Sequence, residues 1–289
     1  MLKYFMSEVK KYFSSKISNE NLLKNIDNFT TLKHAQEYLE NSIADAEFAL
    51  TTLKPYLNKE IEILEIGGGL HILSSYLQEN GYKITSIEPG NFTSYVIQLR
   101  KNIIEVLKPQ NIINTHLENY ISNKKFDLIF SINVLEHVES IENHLNIQVN
   151  FLLDKSSICL VRCPNYNIPY EPHFFKFFIP LFPKFTFKYV HKKELINLNG
   201  LEKYNELLSS LNFNCKYTTI NKLFKIKIHN PFEEIFNRIS EDEIFRNRMF
   251  NNRLIKFLYK FLNFSNLKIL FNFYPTRFYP YLIFEIKNG

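Results

Sequence analysis

Glycine is scarce in this chain, with seven residues in 289. Tryptophan is absent, and methionine and cysteine number three each. No apolar run approaches the ~20 residues that a membrane span needs, so no transmembrane helix is expected. The start, MLKYFMSEVKKYFSSK, has a lysine every few residues and no continuous apolar stretch of signal-peptide length. Its Leu2, Phe5, Met6, Val9 and Phe13 fall instead at helical spacing. Cys159, Cys163 and Cys215 make an odd number with no metal spacing. A disulfide framework is therefore not expected, and a reducing, cytoplasmic setting is. Cys159 and Cys163 lie on a strand expected to be buried, where a free thiol packs as a small apolar group. The scarcity of glycine sharpens the one exception: three of the seven stand in a row, at 67–69 of ILEIGGGLH.

What is present allows one large domain with additions. The 45% apolar content supports a real core. The 28 Phe and 17 Tyr accompany an excess of Asn, Ile and Lys that suggests AT-rich coding, and they are given no functional weight. Net charge is +6, and residues 222–289, with 12 Lys/Arg against 6 Asp/Glu, account for the whole of it.

Residues 1–57 read as a helical cap. From residue 58 the pattern alternates. Strands are expected at EIEILEI, KITSIEPG, the start of IINTHLENY (whose remainder is its exit loop), FDLIFSIN and SSICLVRCPNY. Between them lie helices at 70–81, 91–107 and 140–153, with Gly81 closing the first and Asn91 or Thr93 opening the second. A sixth strand is expected at 211–220 and a seventh at 279–287, separated by a helical insertion over about 222–277. Strand and helix in alternation imply a parallel sheet with helices on both faces. The fold class is thus α/β: a doubly wound, mostly parallel, seven-stranded Rossmann-like sheet over 58–289.

In such a sheet ligands bind at the carboxyl ends of the strands. A glycine turn there lets a ligand approach backbone and aims helix N–H groups at it. The dinucleotide pattern G-x-G-x-x-G is incomplete, because Gly67 and Gly69 are followed by Ile72 at the third position. A Walker loop lacks its G-K-[ST]. With an acid ending the second strand at Glu88 and FDLIFSINVLEHV at 126–138, the chain resembles the class I S-adenosylmethionine (SAM)-dependent methyltransferase superfamily. The resemblance covers 60 to about 165 plus a strand near the C-terminus. It implies SAM as cofactor, with Gly67, Gly68 and Gly69 around the methionine moiety and Glu65 holding its ammonium. It implies Glu88 on the ribose hydroxyls, Glu118 near the adenine and Asn133 beside the sulfonium. Where the family often has a further glycine, this chain has His71.

Methyl transfer to a hydroxyl calls for a base. His137, in NVLEHV, resembles the LEH element of quinone-type O-methyltransferases. His173 lies in NYNIPYEPHF, whose Pro169 and Pro172 are expected to present Tyr170, Glu171 and His173 at one rim. This Y-E-P-H-F element is similar to one in some glycan-modifying members. Residues 166–190 hold ten Phe/Tyr and four Pro, which suits either an aromatic lid over a sugar-like acceptor or core beneath a long loop. The [DN]-P-P-[FY] element of nucleobase methylation is missing after strand four. RLIKFLYKFLNF, near 252–264, has apolar and basic faces, suiting its own domain, an anionic membrane surface or a homodimer. Modest charge without an RNA-binding motif argues against nucleic acid. The reading is O-methylation of a sugar, a glycan or a lipid-linked glycan intermediate. The alternatives are a quinone or other small aromatic acceptor, a SAM-binding protein without turnover, and an NAD-dependent oxidoreductase.

Overall fold

The central apolar runs form strands because each is flanked on both sides by neighbours that satisfy its backbone and cover its side chains. In the computed structural model, which describes residues 8–16, 19–26, 29–171, 176–199, 201–232, 235–236 and 273–287, β1 (Glu62–Ile66), β2 (Lys83–Ile87), β3 (Ile112–Ile113), β4 (Leu128–Ile132) and β5 (Ile158–Pro164) pair in parallel. A small hairpin of β6 (Tyr170–Glu171) and β7 (Lys176–Phe177) stands apart. The main sheet is completed by β8 (Lys227–His229) and β9 (Tyr281–Lys287), the latter antiparallel to both its neighbours. The order is β3-β2-β1-β4-β5-β9-β8. The order reverses between β1 and β4, and there the crevice opens.

The N-terminal cap comprises α1 (Glu8–Lys16), a turn at Asn19–Leu22 and the long α2 (Phe29–Leu53). With α3 (Ile72–Glu79) and α4 (Ser94–Leu107) it covers the sheet face that carries Ile63, Leu128, Phe130, Leu160 and Ile283. The opposite face, with Leu64, Ile66, Ile129, Val161 and Phe284, packs on α5 (Ile141–Asn150) and the segment after β7. Ser140 opens α5 by accepting a hydrogen bond from the backbone of Asn143. Further helices are α6 (Lys192–Asn199), α7 (Leu201–Ser210) and α8 (Tyr217–Leu223).

Two expectations are corrected, the strand at 211–220 and the start of the insertion. Residues 211–220 are not a strand. Leu211, Phe213 and Cys215 alternate inward as a strand would. However, the Asn212 side chain accepts from the backbone of Asn214 and donates to the Val138 carbonyl, holding a local turn that leads into α8. The sixth strand of the sheet is instead β8, so the insertion begins after His229, and the 252–264 pattern lies outside the described residues. The third strand, two residues long, leads into its exit loop as expected. The aromatic segment divides: Tyr166, Phe178 and Phe187 are buried, with Phe187 stacked on Phe213 at a centroid distance of 5.9 Å, while Phe177, Phe182, Phe185 and Tyr189 are exposed. Apolar rings gain more by filling the space under the sheet than by facing solvent.

One carboxylate ties the cap to the far edge of the sheet. Buried Glu285 accepts from Tyr56 Oη at 2.7 Å, Lys227 Nζ at 2.9 Å and His229 Nε2 at 2.6 Å. Burial pushes its carboxyl up, but the three donors outweigh that and hold it below the usual range. Tyr56→Phe should therefore cost about 1 kcal/mol in urea unfolding at neutral pH. Glu285→Gln should also destabilise at neutral pH. Its deficit should close on acidification, because a depressed carboxylate loses its stabilising effect as the pH falls through its folded value.

Candidate active site

The carboxyl ends of β1, β2 and β4 and the underside of α2 enclose a cavity of about 910 Å³. The turn after β1 forms its floor. The Gly67 and Gly68 N–H groups both donate to the Ile87 carbonyl, at 2.8 and 3.2 Å, which ties the turn to β2. Gly67 and Gly69 have φ of 78° and 52°, conformations that L side chains rarely adopt. The three glycines answer different demands. A Cβ on Gly67 would enter the Val134 side chain, and one on Gly68 would collide with Ser86 and stand 2.6 Å from His71 Nδ1. Around Gly69 there is open space.

Two buried carboxylates stand over this floor. Glu88, just past β2, accepts from the Gly69 N–H at 3.0 Å through one oxygen and from the Gly90 N–H at 2.9 Å through the other. Burial raises its affinity for a proton, against the pull of those two amides, Arg100 and His116. A carboxylate has about four lone-pair directions, so two backbone bonds leave capacity for a pair of hydroxyls. Glu65, within β1, accepts from Ser86 Oγ at 2.5 Å. Burial pushes its carboxyl up to about 7, the Ser86 and Ser74 hydroxyls pull it down, and Glu88 adds to the rise.

Asn133 follows β4 with φ of 56° and donates its N–H to the Arg162 carbonyl at 2.9 Å. Its Oδ1 is buried on the cavity and has no hydrogen-bond partner among the described residues. Glu118 also lines the cavity and accepts from His144 Nδ1 at 2.8 Å, and that bond first of all holds its carboxyl below the usual range. His137 occupies a 3-10 turn (Leu135–His137) at the cavity wall, with Nδ1 3.0 Å from Ser210 Oγ.

The expected acceptor rim is corrected. Glu171 is fully buried and accepts from Tyr166 Oη at 3.1 Å, so it is committed to the core. Tyr170 packs on Phe177, with centroids 5.1 Å apart. Neither lines the cavity, nor does any described residue of 166–190. His173 lies outside the described residues. In their place the cavity has groups the sequence reading passed over. Arg162 projects from β5, 4% exposed, with its guanidinium 5.1 Å from the Tyr281 ring centre. A lone cation inside the apolar run ICLVRCP was its signal. From α2 come Tyr38, Asn41, Ser42 and Asp45. Their spacing of i, i+3, i+4, i+7 puts a polar stripe on one helix face.

An orphaned buried amide oxygen, a buried acid poised near neutrality, a second acid beside bare backbone and a glycine floor suit one kind of ligand. It carries an ammonium, a vicinal diol and a flat base, as SAM does. A family model described as Methyltransferase domain matches residues 33–215. That is more than half of the chain, which belongs to this family, and its cofactor is SAM. An uncharacterised protein of Mycobacterium tuberculosis is 36% identical over 136 residues, 45% of this chain and 46% of its own length. The ubiquinone biosynthesis O-methyltransferase of Rickettsia typhi is 24% identical over 103 residues, 34% of this chain and 40% of its own length. The chain thus spans less than half the length of these curated relatives. The plantazolicin methyltransferase BpumL, solved with S-adenosylhomocysteine (SAH), aligns over 99% of this chain and 100% of its own at 14% identity and a TM-score of 0.46.

A Glu65 that holds the cofactor's ammonium must be ionised to do so, and burial pushes its carboxyl up to about 7. Calorimetric SAH affinity should rise between pH 6 and 8, by up to about tenfold per unit on the acid side. Glu65→Gln should bind more weakly and flatten that profile. In the unliganded protein the sign is opposite. A raised carboxyl contributes stability that is complete below its ordinary value and is lost as the pH rises through about 7.

Proposed function

We propose that the protein methylates a hydroxyl oxygen of a sugar or glycan intermediate attached to a phosphate-bearing carrier, a nucleotide or a lipid. The observation that supports this most is Arg162, a buried guanidinium on the wall of the same chamber as His137 and the glycine floor. A guanidinium on the cavity wall matches phosphate geometry, which suits an anionic acceptor.

SAM supplies an activated methyl group on a sulfonium. The protein's own task is to align the acceptor and exclude water. A hydroxyl must also lose its proton, and His137 is assigned as the base that takes it. The polar stripe of α2 provides hydrogen-bonding groups opposite the sheet. His173 is the second candidate base. Glu118 is assigned to the adenine side, and Asn133 to the methionine part beside the sulfonium.

A second reading, O-methylation of a quinone or other small aromatic, is favoured by the match to the Rickettsia enzyme and by the L-E-H element. Incubation with methyl-labelled SAM and a panel of nucleotide-linked sugars, lipid-linked sugars and catechol-type phenols separates the two. Label is expected on a phosphate-linked sugar, and label on phenols alone would refute the proposal. No label on any acceptor would favour a SAM-binding protein without turnover. With an acceptor in hand, His137→Gln should lower kcat by about 10²–10⁴ at unchanged SAH affinity. Equal turnover would remove the base assignment, and His173→Gln would then be the variant of interest.

A further inference from the structure

Beneath the glycine turn four side chains form one hydrogen-bonded line. Arg100 Nη2 is 2.8 Å from His71 Nε2, His71 Nδ1 is 3.0 Å from Ser86 Oγ, and Ser86 Oγ is 2.5 Å from Glu65 Oε2. Its ends dictate its direction. A guanidinium can only donate and an ionised carboxylate can only accept. Ser86 therefore gives its single proton to Glu65 and accepts from His71 Nδ1–H, while His71 Nε2 accepts from Arg100. His71 is neutral and in one tautomer. Burial first, then Arg100, hold its pKa down at about 3, consistent with that state.

The surroundings are built for this line. His71 and Ser86 are fully buried. Gly68 leaves the room it occupies, since a Cβ there would strike both Ser86 and His71. Arg100 is anchored by donating also to the Gly69 carbonyl at 3.1 Å and to Asn114 Oδ1 at 2.7 Å. His71 holds a left-handed conformation, φ 57°, as the residue that opens α3.

We infer that His71 and Ser86 are positioning residues: they relay the polarity of Arg100 to Glu65, keeping that carboxylate oriented and ionised for the amino-acid tail of the cofactor. The inference rests on the assignment of this cavity to SAM. Glu65 gains a donor whose proton cannot turn away, because every alternative orientation of the line would set two donors against each other. The chamber's other charged groups, Asp45, Glu88, Glu118, Glu139 and Arg162, lie outside the line, and Arg100 acts on Glu88 through its charge. Changes at His71 or Ser86 should therefore act on the tail and spare the nucleoside.

Two probes distinguish this from a structural role. SAH has the amino-acid tail, and 5′-methylthioadenosine has the same nucleoside without it. In calorimetry, Ser86→Ala and His71→Phe should each weaken SAH by roughly tenfold, while methylthioadenosine stays within about twofold of wild type. His71→Asn should restore most of the SAH affinity, since its amide sits close to the Nδ1 position and Asn tolerates left-handed backbone. If both ligands weaken together, or SAH binding is unchanged in both variants, the inference is wrong. A wild-type protein that binds neither probe would instead overturn the cofactor assignment on which it rests.

Discussion

Two acids withdrawn from water at the ends of adjacent parallel strands are the constraint around which the rest of this molecule is organised. Glu65 pairs in register with Ser86, and Glu88 lies two residues beyond. Each is costly to bury, and each raises the other's cost where their charges meet. The glycine turn answers for Glu88 by aiming the Gly69 amide at it, and the Gly90 amide beyond β2 supplies a second. The serine, histidine and arginine behind the turn answer for Glu65. A cofactor with an ammonium and a ribose, as SAM has, carries the positive charge and the hydroxyls that complement two such acids. The site is in this sense an incomplete electrostatic structure that its ligand finishes.

The acceptor side is built by a different part of the chain. The methyltransferase family match begins at residue 33, inside α2, so the long cap helix belongs to the shared unit. Its inner face alternates between residues packed on the sheet, such as Ala46 and Ala49, and the polar stripe from Tyr38 to Asp45. One helix thus closes the hydrophobic core and roofs the chamber. Glu285, gathering Tyr56, Lys227 and His229, fixes the end of that helical segment against β8 and β9. The roof is therefore held at both the cofactor side and the far edge of the sheet.

Much of this was legible in the linear pattern. The strand and helix alternation, the glycine turn, Glu88 and the segment through His137 are local, because strand burial, turn conformation and a strand-end acid are set by neighbours within a few residues. Other features were misread for a physical reason. The alternation at 211–215 is genuine burial, but asparagine side chains capture the backbone before a ladder can form. The true edge strand, in K-I-K-I-H, is three residues long, too short for its period to stand out. The rings of 166–190 are not misread but open between lid and core, because composition reports affinity for burial but not the place of burial, and the structure divides them between buried and exposed.

By itself, the sequence determined that a glycine turn would join a doubly buried strand to a helix, with an acid at the end of the next strand, since each depends only on backbone sterics and local hydrophobic period. Only the tertiary structure decided that Arg100 would meet His71, that Arg162 would face α2, and that Glu171 would be sealed into the core. Those outcomes depend on which faces of separate elements come together, and pairings between residues tens of positions apart are fixed by the packing of the whole sheet rather than by any stretch of chain.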